Sequence, residues 1–158
     1  MKHTISILVE NHAGVLARVA GLFARRGFNI DSLAVGVTED EKISRITIIA
    51  DGTAYTLEQI EKQLNKLIDV IKVRHLPAEE LLSRELVLIK VACQPSQRAE
   101  LISLAEIAKA KISDITVNTM TLELSDSVPR IKTFEELLRP YGIKETVRTG
   151  SIAMQKGG

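Results

Sequence analysis

Residues 4–16, Thr-Ile-Ser-Ile-Leu-Val-Glu-Asn-His-Ala-Gly-Val-Leu, join two apolar patterns of different period. Ile5, Ile7 and Val9 alternate with other residues, which predicts a β-strand, whereas the apolar residues from Val15 onwards follow the period of an amphipathic helix. A strand, a glycine-containing turn and an exposed helix N-terminus together form a receptor for a small anionic group, because the first N–H groups of a helix have no partner inside it. The segment therefore predicts binding of a small molecule, and no catalytic apparatus accompanies it.

The residues that follow complete a recognisable order of elements. The helix that starts at Val15 is predicted to end at Gly27, a C-cap glycine preceded by two arginines. Thr56 with Gln59 resembles a capping box that opens a second helix. Strands are predicted on either side of a polar turn and after the second helix, at residues 30–37, 43–50 and 70–75. The predicted order is βαββαβ.

The same order recurs in the second half of the chain after residues 77–83, which contain a proline and two acids and predict a linker. Strands are predicted at residues 86–92, 112–117, 119–124 and 143–149, with helices around Leu101 and after Ser127. The chain is therefore predicted to be α+β, with two ferredoxin-like βαββαβ domains, each a four-stranded antiparallel sheet with two helices on one face. The predicted domains are residues 1–76 and 84–158.

The first sheet is expected to need a partner. Its strands contain more apolar residues than one helix-covered face requires, namely Leu8, Leu33, Val35, Val37, Ile46 and Ile48. An apolar sheet face or edge that nothing covers favours association with another chain. The sequence therefore predicts a homodimer formed through the N-terminal domain.

Composition excludes several classes of partner and compartment. The formal net charge is only +1, from 21 basic and 20 acidic residues, so no strong field selects polyanions. Cys93 is the one cysteine, which excludes an intrachain disulfide and fits a reducing compartment. No apolar run approaches the roughly 20 residues that span a bilayer, and the strand pattern that follows Met1 leaves no room for a signal peptide. We expect a cytoplasmic protein, or a plastid or mitochondrial protein without its presequence.

Three other classes use the same element order and are disfavoured here. RNA-binding RRM domains stack bases on sheet aromatics, but aromatic residues make up only 3% of this chain. A metal-carrying ferredoxin-like domain needs a cysteine pair in the loop after the first strand, where Asn11-His12-Ala13-Gly14 stands, and the histidines share no metal-ligand spacing. An enzyme on this scaffold needs an activated nucleophile, paired carboxylates or a cofactor loop, and none is recognisable.

The ligand loop and its surroundings resemble a known family. Residues 4–16, with Arg18-Val19-Ala20-Gly21-Leu22-Phe23 and Arg26-Gly27-Phe28-Asn29-Ile30-Asp31-Ser32-Leu33, closely resemble the ACT domain of the acetolactate synthase small subunit. Residues 44–48 and 59–67 extend the likeness through the first domain. Arg84-Glu85-Leu86, Pro140-Tyr141-Gly142-Ile143 and Arg148-Thr149-Gly150 resemble the C-terminal domain of that family, so the likeness covers nearly the whole chain.

The resemblance implies a regulatory subunit that is not itself an enzyme. It implies a separate large, catalytic subunit that makes acetolactate or acetohydroxybutyrate from pyruvate, in valine, leucine and isoleucine biosynthesis. Thiamine diphosphate, Mg²⁺ and FAD are expected only in that partner, and no cofactor in this chain. Members of the family activate the large subunit and confer feedback inhibition by valine or another branched-chain amino acid, while the C-terminal domain engages the catalytic chain. The alternative is an ACT-domain amino-acid sensor that serves a different enzyme or a transcription regulator.

The resemblance also implies where the effector binds, at the interface of two ACT domains. The N–H groups around Gly14, Val15 and Leu16 are suited to its carboxylate, and the side-chain amide of Asn11 suits either end of an amino acid. Carried over from the family, Asn29 and Ile30 of the neighbouring protomer complete the pocket. The predicted effector-binding set is Asn11, Ala13, Gly14, Val15, Leu16, Asn29 and Ile30, and no catalytic or metal-binding residue is predicted.

Overall fold

The computed structural model describes residues 1–157 and divides the chain into two compact units. One unit contains residues 1–82 together with the C-terminal segment from Ser151, and the other is Ser83–Gly150. The predicted division had given all of 84–158 to the second domain. The C-terminal segment instead groups with the first unit, in which Ser32 and Glu80 accept hydrogen bonds from it.

The first unit has the predicted βαββαβ order, and all neighbouring strands of its sheet are antiparallel in the spatial order β2-β3-β1-β4. This arrangement confirms the first ferredoxin-like fold. Its elements are β1 (Lys2–Glu10), α1 (Val15–Arg25), β2 (Asn29–Val37), β3 (Ile43–Asp51), α2 (Ala54–Leu64) and β4 (Val70–Leu76).

The second unit repeats the arrangement with the strand order β6-β7-β5-β8, which confirms the second ferredoxin-like fold. Its elements are β5 (Leu81–Ala92), α3 (Arg98–Ala108), β6 (Lys111–Ile115), β7 (Thr119–Asp126), α4 (Val128–Leu138) and β8 (Ile143–Arg148). The predicted linker 77–83 is only partly irregular. It contains a 3₁₀ turn at Ala78–Glu80, and β5 already begins at Leu81. A short last strand, β9 (Ile152–Gln155), follows in the C-terminal segment.

The core of the first unit lies between one sheet face and the two helices. Ile5 is opposite Ile48 and Ile7 is opposite Ile46, so these four side chains share the face beneath the helices. They pack with buried residues of α1 and α2, including Val19, Phe23, Ile60 and Leu64. Burying one such aliphatic side chain contributes roughly 1.5–3 kcal/mol, so this layer stabilises the sheet that positions the ligand loop.

The register corrects the expected distribution of apolar residues. Ile46 and Ile48 are buried in the helix-covered core, and Leu33 and Val35 pair with them, so these residues share that face. By the register, only Leu8 of the six residues named above faces the opposite side, where it pairs with Arg45. Most of the six residues therefore do not lie on the uncovered face, because strand register decides which face a residue occupies. Val35 and Val37 are instead exposed on the edge strand β2, the other location that the sequence analysis allowed.

The opposite face is also partly covered by the chain itself. Ser151 N donates to Ser32 Oγ at 2.8 Å, and Lys156 N donates to Glu80 O at 2.7 Å. The side chain of Gln155 accepts a hydrogen bond from Arg74 on the same face. The C-terminal segment thus supplies cover that the sequence had assigned to a partner.

A C-terminal capping motif at Gly27 ends α1 and fixes where β2 begins. Gly27 has a φ of 73°, and Phe28 N donates to Phe23 O at 3.0 Å while Gly27 N donates to Ala24 O at 3.2 Å. This pair of bonds is a Schellman motif, which satisfies the last carbonyl groups of the helix. The rings of Phe23 and Phe28 meet edge to face with centroids 6.0 Å apart, so the motif is also packed. The confirmed C-cap places Asn29 as the first residue of β2.

Candidate functional site

The loop between β1 and α1 is tied to the turn between β2 and β3. Asn11 N donates to Lys42 O at 2.8 Å, and Asn11 Nδ2 donates to Glu41 O at 2.9 Å. His12 N donates a hydrogen bond to Glu10 O at 2.9 Å. Across residues 1–157, the Oδ1 atom of Asn11 receives no hydrogen bond, so it remains an acceptor on an otherwise anchored side chain.

Gly14 forms the turn into the helix. Its φ of 85° and ψ of −10° are left-handed, and it caps α1 without a side-chain hydrogen bond. The first hydrogen bond of the helix runs from Arg18 N to Gly14 O at 3.2 Å. The four N–H groups from Gly14 to Ala17 have no acceptor in the described part of the chain. Gly14, Leu16 and Ala17 are exposed at the positive end of the helix dipole, which is an arrangement that attracts an anion.

The other predicted loop residues lie beside these N–H groups but contribute in different ways. Ala13 is exposed in the turn. Val15 is buried as a whole residue, main chain included, at 3% exposure, so it anchors the start of the helix in the core. Leu16 is 40% exposed and presents an aliphatic surface at the same place. The structure thus brings Asn11, Ala13, Gly14, Val15 and Leu16 together in one short loop.

Asn29 and Ile30 lie far from that loop in the same chain. Asn29 pairs with Asp51, which pairs on its other side with Lys2 at the start of β1. The loop follows the other end of β1, eight residues away, which is about 26 Å at 3.3 Å per residue. One chain therefore does not join the two groups of predicted residues.

Asn29 lies beside two ion pairs. Asn29 Nδ2 donates to Asp31 Oδ1 at 3.2 Å, and Lys2 Nζ lies 2.7 Å from Asp31 Oδ2. The hydrogen bond and the charge of Asp31 raise the pKa of Lys2 above its usual value. Asp51 lies directly opposite Asn29 in the sheet and pairs with the N-terminal ammonium group at 2.7 Å. Each carboxylate near Asn29 is thus paired with a cation.

Arg18 is a site residue that the sequence analysis missed. Its Nη1 atom lies 3.6 Å from the position that a Cβ atom on Gly14 would occupy, and its Nη2 atom forms an ion pair with Asp69. A basic residue in the first turn of a helix opposes the helix dipole. The sequence could have indicated a role for Arg18, because no acidic residue in the first turn of the helix offsets its unfavourable positive charge.

The corresponding loop of the second unit has a different structure. Pro95–Gln97 forms a 3₁₀ turn, in which the side chains of Gln94 and Gln97 form a reciprocal capping box with the backbone. Gln94 N donates to Gln97 Oε1 at 3.1 Å, and Cys93 is buried beneath the turn. No glycine occurs in this loop. The open, glycine-based turn is therefore a feature of the first unit.

Among residues 1–157, no group of three or more His, Cys, Asp or Glu side chains is placed to hold a metal ion. Among the helices of these residues, none has the length and apolar character needed to cross a membrane.

Comparisons with known proteins agree over both units. A family model described as "AHAS small subunit-like ACT domain" matches residues 5–72, and one described as "Small subunit of acetolactate synthase" matches residues 84–157. The chain is 50% identical over 157 residues to a probable acetolactate synthase small subunit of Archaeoglobus fulgidus, covering 99% of this chain and 98% of that protein. It is 44% identical over 155 residues to the acetolactate synthase small subunit of Mycobacterium leprae, covering 98% and 92%.

A solved structure gives the same result. The crystal structure of the acetolactate synthase small subunit from Thermotoga maritima superposes with a TM-score of 0.93 at 39% identity, covering 100% of this chain and 99% of that one. Matches of this extent include the loop, both units and the C-terminal segment. The chain therefore belongs to the family of acetolactate synthase small, regulatory subunits.

Proposed function

We propose that this chain binds a branched-chain amino acid, with valine as the first candidate, and thereby inhibits an acetolactate synthase catalytic subunit that it otherwise activates. The observation that carries the proposal is the set of unpartnered N–H groups of the exposed residues Gly14, Leu16 and Ala17, beside the free Oδ1 atom of Asn11. This loop suits an amino acid because it offers several donors to a carboxylate and one acceptor to an ammonium group.

The carboxylate is held by several weak contributions. The helix dipole supplies about 0.3–1 kcal/mol, so hydrogen bonds from the free N–H groups must supply most of the binding at this end. Hydrogen bonds to a charged group contribute about 1.5–3 kcal/mol each. Because Gly14 has no Cβ atom, a ligand can approach this backbone closely.

A homodimer would bring the second group of residues to the loop. β2 is the edge strand of its sheet and has a free outer side in the described residues. If two copies pair antiparallel through β2, centred on Leu33, the partner's Asn29 stands opposite Val37. Val37 lies in the row of the sheet that includes Ser44 and Val9, next to the loop that follows β1. Twofold pairing of this edge is therefore a geometric reason for the partner's Asn29 and Ile30 to complete the pocket.

The two halves would then complement a zwitterion. The free N–H groups of the loop suit the carboxylate, and the side-chain oxygens of Asn11 and of the partner's Asn29 suit the ammonium group. Leu16, Val35 and Val37 are exposed at this end of the sheet and offer contacts to an aliphatic side chain. Burying that side chain contributes roughly 1.5–3 kcal/mol. The total is consistent with micromolar to millimolar affinity, or about 4–8 kcal/mol, which suits a metabolite sensor.

The remaining parts of the proposal concern the catalytic subunit. We expect the second unit to engage that chain in the cytoplasm, and thiamine diphosphate, Mg²⁺ and FAD to be bound there and not by this chain. The effector would act through a difference in its affinity for the active and inactive holoenzyme. An ACT-domain sensor for a different enzyme or a transcription regulator is the alternative.

Calorimetry of the full chain with valine, leucine and isoleucine tests effector binding, and sedimentation tests the dimer. We expect one of the three to bind with micromolar to millimolar affinity and to inhibit the holoenzyme reconstituted with a catalytic subunit from the same source. D-valine is the control, because its inverted centre cannot present carboxylate, ammonium and side chain to the same three partners. Absence of binding for all three amino acids contradicts the proposal, and binding without any effect on the holoenzyme favours the alternative.

A further inference from the structure

Arg18 stands at the ligand loop without a role in the proposed site. It lies on the first turn of α1, where Arg18 N closes the first helical hydrogen bond on Gly14. The Nη1 atom is 3.6 Å from the Cβ position of Gly14, which places the guanidinium group over the turn that presents the free N–H groups. A ligand that reaches those N–H groups therefore also comes within reach of Arg18.

The guanidinium group is held on one side only. Its Nη2 atom pairs with Asp69, and no other hydrogen bond to Arg18's guanidinium occurs within the described chain. Asp69 is fixed in turn, because its carbonyl oxygen accepts a hydrogen bond from Glu10 N at 2.8 Å. A guanidinium group carries five N–H donors in a planar fork. The ion pair with Asp69 therefore leaves the Nη1 edge free to bind a second carboxylate.

The two partners of this ion pair differ in exposure. The side chain of Asp69 is 19% exposed, whereas that of Arg18 is 51% exposed, so the cation and not the acid faces the solvent. The guanidinium group also lies near the positive end of the helix dipole. A ligand carboxylate can therefore reach the guanidinium group from solvent.

We propose that Arg18 binds the carboxylate of the amino-acid effector through its Nη1 edge, while Asp69 holds the opposite edge of the guanidinium group. This inference rests on the proposed function, since it assigns a further contact to the same ligand. It also makes a distinction that the main-chain donors do not make: Arg18 selects ligands with a full negative charge, whereas N–H groups accept an amide oxygen as well.

The test combines protein variants with ligand analogues, and calorimetry is performed on the full chain. We expect Arg18→Gln to weaken valine binding by about ten-fold or more, as the loss of a charge-assisted hydrogen bond implies. Binding of valinamide, which has no carboxylate, should be weak in the wild type and change by less than about three-fold in the variant. Equal losses for valine and valinamide would show that Arg18 does not contact the carboxylate.

Asp69→Asn separates direct binding from a structural role. It removes the same ion pair as Arg18→Gln but retains the guanidinium group without its anchor, so we expect valine affinity to fall by clearly less than in Arg18→Gln. If Asp69→Asn weakens binding as much as Arg18→Gln does, the ion pair acts through loop structure and the inference is overturned. Thermal unfolding of both variants reports whether they fold equally well.

The chain offers a matched control on the same helix. Arg25 Nη1 lies 3.6 Å from the Cβ position of Gly21, the same spacing as in the Arg18–Gly14 pair, but at the end of α1 that has no free N–H groups. Arg25→Gln should leave valine affinity unchanged. If Arg25→Gln weakens it as much as Arg18→Gln does, general charge and not contact explains the effect.

If the wild type binds none of the three amino acids, the proposed function fails. If the wild type binds valine and Arg18→Gln binds it equally well, only the inference about Arg18 fails.

Discussion

Gly14 combines two requirements at one residue of the loop. Its φ of 85° lies in the left-handed region, and its missing side chain leaves the neighbouring N–H groups open. Steric space is not the limiting factor, since an added Cβ atom would meet only the Arg18 guanidinium group at an ordinary 3.6 Å. Backbone conformation and ligand access are therefore the reasons for glycine here, and Asn and Asp are the residues that tolerate this conformation best.

Gly14→Asp and Gly14→Asn form a pair that separates charge from shape. Both side chains tolerate a positive φ, but only Asp places a carboxylate where the effector's own carboxylate would bind. We expect Gly14→Asp to abolish valine inhibition of the reconstituted holoenzyme without preventing assembly, and Gly14→Asn to retain part of it. Inhibition curves with sedimentation of the complex provide the measurement. Retained valine sensitivity in Gly14→Asp would contradict the proposed position of the carboxylate.

At the scale of one element, α2 begins earlier than its sequence suggests. The capping box predicted at Thr56 and Gln59 is wrong, because the N-cap is Thr53, whose Oγ1 atom accepts a hydrogen bond from Thr56 N at 3.2 Å. The helix ends at Leu64, and Ile68, four residues beyond that end, is 96% exposed. Two threonines three residues apart both offer a cap, and the packing of Leu57, Ile60 and Leu64 selects the first.

The competing caps can be compared by mutation. Thr53→Ala should lower the free energy of unfolding by about 0.5–2 kcal/mol, the usual cost of losing an N-cap. Thr56→Ala should lower the free energy of unfolding by less. The main-chain N–H of residue 56 still donates to Thr53 Oγ1 in that variant, and the Thr56 side chain does not cap the helix. Denaturant unfolding monitored by circular dichroism measures both. The reverse order of the two losses would show that Thr56 is the cap in solution.

For the whole molecule, the decisive feature is the free edge of β2. Val35 and Val37 are 49% and 62% exposed there, close to the loop. Asn29, Ile30 and the loop lie at opposite ends of one sheet, so a pocket that contains both groups requires a second copy. Dimerisation and effector binding are therefore expected to be lost together.

A charged residue on this edge tests that coupling. Val35→Asp should weaken the dimer by about ten-fold or more, since in the proposed register position 35 stands opposite the partner's Asp31 and like charges would meet, and valine binding should weaken with it. Val147→Asp is the control, because Val147 is a comparably exposed valine on β8, an edge strand of the second unit. Sedimentation equilibrium and calorimetry measure the two properties. A Val35→Asp protein that remains dimeric and binds valine normally would show that β2 is not the interface.

The sequence alone determined the elements and their order, and it located the ligand loop. Alternation in β1, helical periodicity in α1 and the glycines at positions 14 and 27 are local signals, because each depends on residues that lie within a few positions of one another. The extent of the family resemblance was also readable from the residues, and the comparisons confirmed it over both units.

Only the tertiary structure decided which distant residues meet. The register placed Ile46 and Ile48 under the helices, because a shift of one residue moves a side chain to the other face and composition does not specify that shift. The return of the segment after Ser151 to the first unit, and the pairing of Arg18 with Asp69, join positions far apart in the chain. Such contacts depend on how whole elements pack, and no local pattern encodes them.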